Sequence, residues 1–489
     1  MPHLSPAFIK ELQAYTYAGL SLLLQLEGKR LNKFLQKLIL AGVVKSSSRK
    51  RVSKSNDEYD FDVWNEEECD KLYSFHFVGT IHLDGRLIFV YPKYYEKEIS
   101  IADFKLVLEV IRKYRNHRVS RIEEKGGADI EGSVNTFSIY LFIISDYIIH
   151  GAYDATLQVV HEDDKGLILW EKTVNEKIPF FQNGTPIYMD CYRRCSTVDS
   201  DNFFTRLHLA VVSSCSRKIK KMGLSEVFDL TLSEPSDEDI ADFGDEEYLR
   251  YRILCELQVQ YDSRNRLILF TLLSYLLRDR ANESESGRSI ELYGSTSFNL
   301  IWEHVCASVL ASDLDVRLNK ISCLRTNHGG TMKEAIEHPK WQGYANYGEK
   351  FIKTAETLRP DLLKFYWEEE NTSLAILDAK YYTIQLKRDK KLMGQPGVAD
   401  ITKQYLYHLA YSELLNTLGV RKVVNSFLVP HENLEFKKMG EASMKMLSDL
   451  NLSDIEVIML PARYMYEKYL QGATINVKDV FDNLILHVE

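Results

Sequence analysis

Two spacings of apolar residues alternate along this chain, one helical with a period near 3.6 and one strand-like with a period of two. Residues 28–44, GKRLNKFLQKLILAGVV, keep the helical spacing and stop at Gly42. Residues 72–95, LYSFHFVGTIHLDGRLIFVYPKYY, form two β-rich runs around Asp84-Gly85, a hairpin signal. Between about 100 and 230, helical segments mix with a hairpin-like stretch, DDKGLILWEKTV. Two long helical patterns follow, YLRYRILCELQVQY and LILFTLLSYLLRDR. From about residue 295 the order becomes helix, irregular region, strand, strand, helix, strand.

That last segment can be read closely. STSFNLIWEHVCASVL places Phe298, Ile301, Trp302, Val305 and Val309 on one helical face. LRPDLLKFYWEEE reads as a strand opening at Pro360, where a missing N–H does least harm. SLAILDAKYYTI is a second strand, apolar up to Leu377 and then abruptly charged, and the polar link EEENT suits a hairpin. GVADITKQYLYHLAYSELLNTLG is a long helix ending at Gly419, and RKVVNSFLVP is apolar enough for a central strand.

Composition adds boundaries. A chain of 489 residues exceeds what one core usually serves, which predicts two or three domains. Residues 45–60 are basic and serine-rich before turning acidic, 233–247 are acidic and almost free of apolar side chains, and 280–289 form a polar gap. These shifts outline segments 1–60, 61–235, 236–290 and 291–489, in an α/β protein that is α+β taken as a whole. Residues 136–149 are too few to cross a bilayer and read as buried helix. The first residues, MPHLSPAFIKEL, lack a basic then apolar leader, so the expectation is a cytoplasmic protein with no membrane contact. Of seven cysteines only Cys191 and Cys195 lie close, and without a second ligand pair they read as thiols rather than a zinc site.

Net charge is −9, whereas a protein that grips DNA alone normally gathers a basic surplus. Any basic surface is therefore local, or a partner supplies the grip.

The candidate chemistry sits in segment 291–489. Asp378 and Lys380 lie two apart on one strand, so both face the same side, and Asp361 on the neighbouring strand can join them. The arrangement is Pro-Asp, a gap of about 16 residues, then Asp-X-Lys. Two carboxylates suit Mg²⁺, a hard ion that prefers oxygen and keeps waters. Such a metal polarises a phosphodiester and lowers the pKa of bound water, while a lysine orients water and offsets transition-state charge. Glu303 on the preceding helix offers a third carboxylate for the metal, and Gln404 can position water or phosphate. The alternative for Asp-X-Lys is a surface salt bridge, and for Glu303 an ordinary helix-surface glutamate. His304 reads as structural, and Tyr405, Tyr407 and Tyr411 read as packing.

RPDLL…AILDAKYY resembles the PD-(D/E)XK nuclease signature, and FHFVGTI…VYPKYY, YGSTSFNLIWEHVC and GVADITKQYLYHLAY together resemble the LlaJI restriction endonuclease family, related to the McrC nuclease subunit. The likeness runs from about residue 70 to the end of the nuclease core. It implies a restriction-endonuclease-like fold over 291–489 and Mg²⁺-dependent cleavage of double-stranded DNA in a restriction system. It further implies an McrB-like AAA+ GTPase as partner, docked through 61–235. No G-x-x-x-x-G-K-[ST] motif occurs in this chain, so GTP hydrolysis would belong to that partner. The superfamily often follows the helix glutamine with tyrosine four positions on, and here Gln404 is followed by His408.

Two other classes compete. One is a non-catalytic assembly subunit of the same kind of complex, against which the complete Asp361, Asp378 and Lys380 set argues. The other is a DNA-binding protein with residues 15–55 as a winged-helix-like reader. The basic stretch Lys45–Lys54 could touch phosphates, or be a solvated loop.

Overall fold

The structure is a computed structural model that describes residues 6–48, 71–124, 136–162, 166–199, 201–221, 225, 231–284, 290–344, 350–368, 371–445, 447 and 452–486. The chain divides into two compact units. One gathers Leu4–His82, Arg86–Ile130 and Tyr293–Glu489, and the other is centred on Glu131–Leu292. The basic stretch 45–54 lies outside the described residues beyond Ser48.

The first unit opens with β1 (Ala7–Lys10), β2 (Ala14–Thr16), α1 (Tyr17–Leu24), α2 (Gly28–Leu40), β3 (Val44–Ser48) and β4 (Lys71–Phe75). The helical spacing of 28–44 appears as α2, whose Leu31, Phe34, Leu35 and Leu38 are buried on one face. β5 (Val78–Leu83) and β6 (Arg86–Tyr91) flank the expected Asp84-Gly85 turn, where both residues take positive φ. β1 runs parallel to β6, and α3 (Ile101–Glu124) buries Phe104, Val107, Leu108 and Ile111.

In the second unit, α4 (Thr136–His150) is the apolar segment expected as buried helix. It is followed by β7 (Thr156–His161), β8 (Leu167–Ile168), α5 (Trp170–Glu176), β9 (Phe180–Gln182), β10 (Thr185–Ile187), β11 (Arg193–Val198), α6 (Phe203–Lys221), α7 (Glu246–Val259) and α8 (Ser263–Ser284). The hairpin expected in DDKGLILWEKTV is replaced after Ile168 by helix. Both β7 and β8 pair with β11, and Thr173 of α5 is fully buried. The acidic stretch 233–247 ends in ordered caps. Asp239 and Asp242 close a capping box over Ile240–Phe243, and Asp245 caps α7. α4, α6 and α8 pack on one another, and Ile139, Ile143, Leu207, Val211, Leu269 and Leu272 on them are buried.

The chain then re-enters the first unit with β12 (Glu291–Ser295), next to β5 in a sheet ordered β1-β6-β5-β12. This contact requires glycine, because a Cβ on Gly79 would meet the Tyr293 carbonyl oxygen at 2.0 Å. α9 (Phe298–Val309) follows, then an exposed hairpin of β13 (Lys340–Tyr344) and β14 (Lys350–Thr354). β15 (Leu362–Glu368), β16 (Asn371–Ala379), α10 (Val398–Leu418), β17 (Lys422–His431), β18 (Lys437–Ala442), β19 (Ile455–Pro461), α11 (Ala462–Gln471), α12 (Val477–Asp482) and β20 (Ile485–Leu486) complete it.

Six of these strands form one sheet, ordered β15-β16-β17-β19-β18-β20. β15 is antiparallel to β16, whereas β16, β17 and β19 are parallel, with α10 crossing between β16 and β17. Alternation decides which side chains meet which helix. Leu363, Phe365, Leu374 and Ile376 meet Tyr407, Tyr411 and Leu415 of α10. α9 also packs on β16, and its fully buried Trp302 donates from Nε1 to the Leu428 carbonyl at 3.2 Å. The Trp302 ring meets Tyr466 of α11 edge-on, 6.2 Å between centroids. The fold is thus mixed α/β, and α10 ends at Gly419 in the left-handed conformation, as its sequence suggests.

Candidate active site

Register creates the site. β15 and β16 pair from Glu368 opposite Asn371 to Leu362 opposite Leu377. One step further along both strands brings Asp361 across from Asp378. The Asp361 carboxylate is fixed there by the Ala379 N–H, which donates to Oδ2 at 3.0 Å. Behind it, the Tyr407 hydroxyl donates to the Arg359 carbonyl at 2.9 Å, tying α10 to the residue before Pro360.

Lys380 lies just past the end of β16, but its N–H still donates to the Leu428 carbonyl at 2.9 Å. Its ammonium is held between two carboxylates, Asp378 Oδ2 and Asp400 Oδ1, each at 3.0 Å. Asp400 stands in the first turn of α10, where its other oxygen accepts the Gly397 N–H at 3.2 Å. Asp378 is buried and Glu303, from α9, is half-buried.

These charges act on one another. Burial, then the hydrogen bond and charge of Asp378, with Glu303 adding, push the Asp361 carboxyl up to about 9, against the pull of Lys380. Glu303 is raised by burial and by Asp378, with Lys380 opposing. Burial alone would favour a neutral lysine, yet Asp378 and Asp400 together hold Lys380 above its ordinary range. The two carboxylates thus favour the charged ammonium of Lys380. Cys306 on α9 is raised by burial and by the charges of Asp361 and Glu303.

The structure thus brings Asp361, Asp378, Lys380 and Glu303 into one electrostatic cluster. Gln404 has another place. It is fully buried, its Nε2 donates to the Ser426 carbonyl at 3.2 Å and its backbone carbonyl accepts from Asn425 Nδ2 at 3.0 Å, while its side-chain Oε1 is buried with no hydrogen-bond partner among the described residues. No hydrogen bond or ion pair among the described residues joins it to the carboxylates. Asp400 is the residue that sequence reasoning passed over. Its signal was a helix-opening acid three positions after Gly397, which reads on its own as a cap. His304 packs among the rings of Tyr114, His117 and Tyr469, as a structural residue would. Tyr405, Tyr407 and Tyr411 are buried.

Among the described residues no group of three or more His, Cys, Asp or Glu side chains is arranged to hold a metal ion. Mg²⁺ does not require such a cage. It commonly takes one or two carboxylates and completes its shell with water and phosphate oxygens. The paired carboxylates fit that chemistry, because two acidic groups set together in a buried site favour positive charge between them, and a divalent cation supplies it.

The model of the LlaJI restriction endonuclease family matches residues 77–463. The chain belongs to this family. A LlaJI-type match of that extent includes Glu303, Asp361, Asp378, Lys380 and Asp400 and starts after β4. Among curated proteins, the Type II restriction enzyme BsuMI component YdjA of Bacillus subtilis (strain 168) is 27% identical over 416 residues, 83% of each chain. Among solved structures, the half-complex of Thermococcus gammatolerans McrB AAA+ hexamers with bound McrC gives a TM-score of 0.35 at 13% identity. That match covers 96% of this chain and 100% of the other. The McrBC complex of the same organism gives 0.22 at 13% identity, over 56% of this chain and 80% of that one. No helix among the described residues of this LlaJI-family chain is long and apolar enough to cross a membrane.

Proposed function

We propose that this chain is the nuclease subunit of a restriction system and hydrolyses phosphodiester bonds of double-stranded DNA at the Asp361–Asp378–Lys380 centre with Mg²⁺. The observation that carries the reading is the cross-strand register that sets Asp361 against Asp378 while Lys380 holds Asp378 at 3.0 Å. Asp361 and Asp378 would hold the metal, with Glu303, whose charge acts on both, as a third carboxylate beside them. Bound there, the cation would supply Lewis-acid polarisation of the phosphate and a more acidic water. The chain's own residues do the rest. The Ala379 N–H and the strand pairing fix where the carboxylates point, and Asp400 holds the ammonium in place. Lys380, kept positive, offsets charge that grows on the phosphate oxygens. This amounts to a restriction-endonuclease-like centre of the PD-(D/E)XK type.

The subunit part of the reading rests on different support. The curated relative is named a component, and the −9 charge leaves this chain without an overall basic surplus. The second unit also exposes Ile178, Phe180, Phe181 and Met189 around β9 and β10, each at least 70% accessible. Such apolar exposure suits a partner surface. The partner proposed is an McrB-like AAA+ GTPase.

The test is cleavage of plasmid DNA by wild type and Asp378→Ala, each with and without the candidate GTPase and GTP. Cleavage that needs Mg²⁺ and vanishes in Asp378→Ala supports the metal centre, and a requirement for GTPase and GTP supports the subunit role. Equal inactivity of both proteins with partner and GTP present refutes catalysis.

A further inference from the structure

Residues 14–75 lie outside the segment matched by the family, and those of them that the structure describes, 14–48 and 71–75, build two helices and three strands within the first unit. β2 leads into α1, three residues (Gln25, Leu26, Glu27) turn the chain, and α2 follows before the pair β3 and β4. The three strands are all antiparallel, in the order β2-β4-β3, so the first strand pairs with the last. A helix-turn-helix backed by a sheet of this order is the winged-helix arrangement, in which the second helix enters the DNA major groove.

The turn is fixed. Thr16 Oγ1 accepts the Gly19 N–H at 3.1 Å, Gln25 takes the left-handed conformation, and Ser21 Oγ donates to the Leu26 carbonyl at 2.8 Å. The Tyr17 hydroxyl reaches across to the Gly28 carbonyl at 3.1 Å. Leu20, Leu24, Leu31, Phe34, Leu35 and Leu38 bury the inner faces of both helices. The outer face of α2 carries Lys29, Arg30 and Lys33, all exposed and forming no ion pair among the described residues. From Glu27 to Leu40 the only acid is Glu27, against four bases. Over the single turn from Lys29 to Lys33 the stripe rises about 6 Å, which fits within a major groove about 12 Å wide. The rest of the chain is acidic, so this basic stripe is a local feature and not the overflow of a basic protein.

We propose that α2 is a recognition helix which, carried by α1 and the sheet of β2, β3 and β4, reads duplex DNA in the major groove and gives this chain a sequence preference of its own. Lys29, Arg30 and Lys33, at the amino-terminal end of the helix, are the side chains placed to reach base edges and the flanking phosphates. The reading goes beyond cleavage and does not depend on it, because neither Asp361 nor Asp378 takes part.

The experiment uses the full chain in EDTA, with selection from a duplex DNA pool whose centre is randomised, followed by binding titrations against salt. The expected result is an enriched motif for wild type that is lost in the Lys29→Gln, Arg30→Gln, Lys33→Gln triple variant. The triple variant should bind at least tenfold more weakly, and its log–log salt slope should fall by about 2–3, near 0.9 for each phosphate contact removed. An unchanged melting temperature and circular dichroism spectrum establish that the variant is folded. The proposal is overturned if no motif is enriched, or if wild type and variant bind with the same affinity and slope. Loss of cleavage in Asp378→Ala with motif binding intact separates this result from the catalytic reading.

Discussion

Asp361→Asn should make the metal-free protein more stable at neutral pH, although it removes a residue of the proposed active site. In the fold, Asp361 keeps its proton up to about 9, because it is buried against Asp378 with Glu303 near. In the unfolded chain an aspartate loses its proton near pH 4. Between those values the folded state binds more protons than the unfolded state, so stability falls as pH rises, by at most about 1.4 kcal/mol per pH unit. From pH 5 to pH 7 the loss is up to about 2.7 kcal/mol, or roughly 5 °C in melting temperature for a large domain. The groups facing Asp361 that could redistribute this dependence are Asp378, Glu303 and Lys380, with Tyr407 and Cys306 beside them. Asparagine keeps an oxygen for the Ala379 N–H and offers an amide N–H toward Asp378, with no titration. Melting curves in EDTA at pH 5, 6 and 7 should therefore fall for wild type and stay nearly level for Asp361→Asn. Added Mg²⁺ should raise wild type at pH 7 and act weakly on the variant. Parallel pH profiles for the two proteins would refute the carboxylate-pair reasoning.

Other expectations follow from single contacts. Asp400→Ala releases one side of the Lys380 ammonium and should lower cleavage about 10–100-fold with DNA affinity unchanged, as loss of an outer partner at a metal centre commonly does. Steady-state kinetics with a labelled duplex would check this. Trp302→Ala should cost about 3–5 kcal/mol by emptying a fully buried site and freeing the Leu428 carbonyl, read by denaturant unfolding. Tyr381→Phe leaves buried Glu11 without the hydroxyl that donates to it at 2.5 Å and should cost roughly 1–3 kcal/mol. Pairing it with Glu11→Gln should recover part of that loss in the same unfolding assay.

The elements around the site were legible because each carries its own local signal. Pro360 stands two residues before β15, the abrupt change after Leu377 comes two residues before β16 ends, and Gly419 ends α10. The period of two predicted that Asp378 and Lys380 share a side, and the ion pair between them agrees. What sequence could not supply was partnership across distance. Asp400 looks like any helix-opening acid until Lys380 is seen against it. Gln404 sits at a position that invites a polar role, but its side chain turns to the Ser426 carbonyl. Glu11 and Tyr381 are 370 residues apart, and nothing local in either stretch announces their hydrogen bond. Trp170 begins a helix where a second hairpin strand was expected, since both sides of that hairpin pair with β11 instead.

The first unit is discontinuous along the chain, with Glu131–Leu292 lying between its halves. During synthesis, β5 must wait for β12, and Glu11 for Tyr381, until the whole intervening stretch has left the ribosome. At about 5–20 residues per second that delay is roughly 8–30 s, long beside the time a helical unit needs to fold. The intervening unit is therefore complete before its host, and Ile81 and Phe89 must stay soluble meanwhile without their final neighbours. Nascent-chain release in the middle of α6 should leave a fragment that engages chaperones, whereas release past α11 should not.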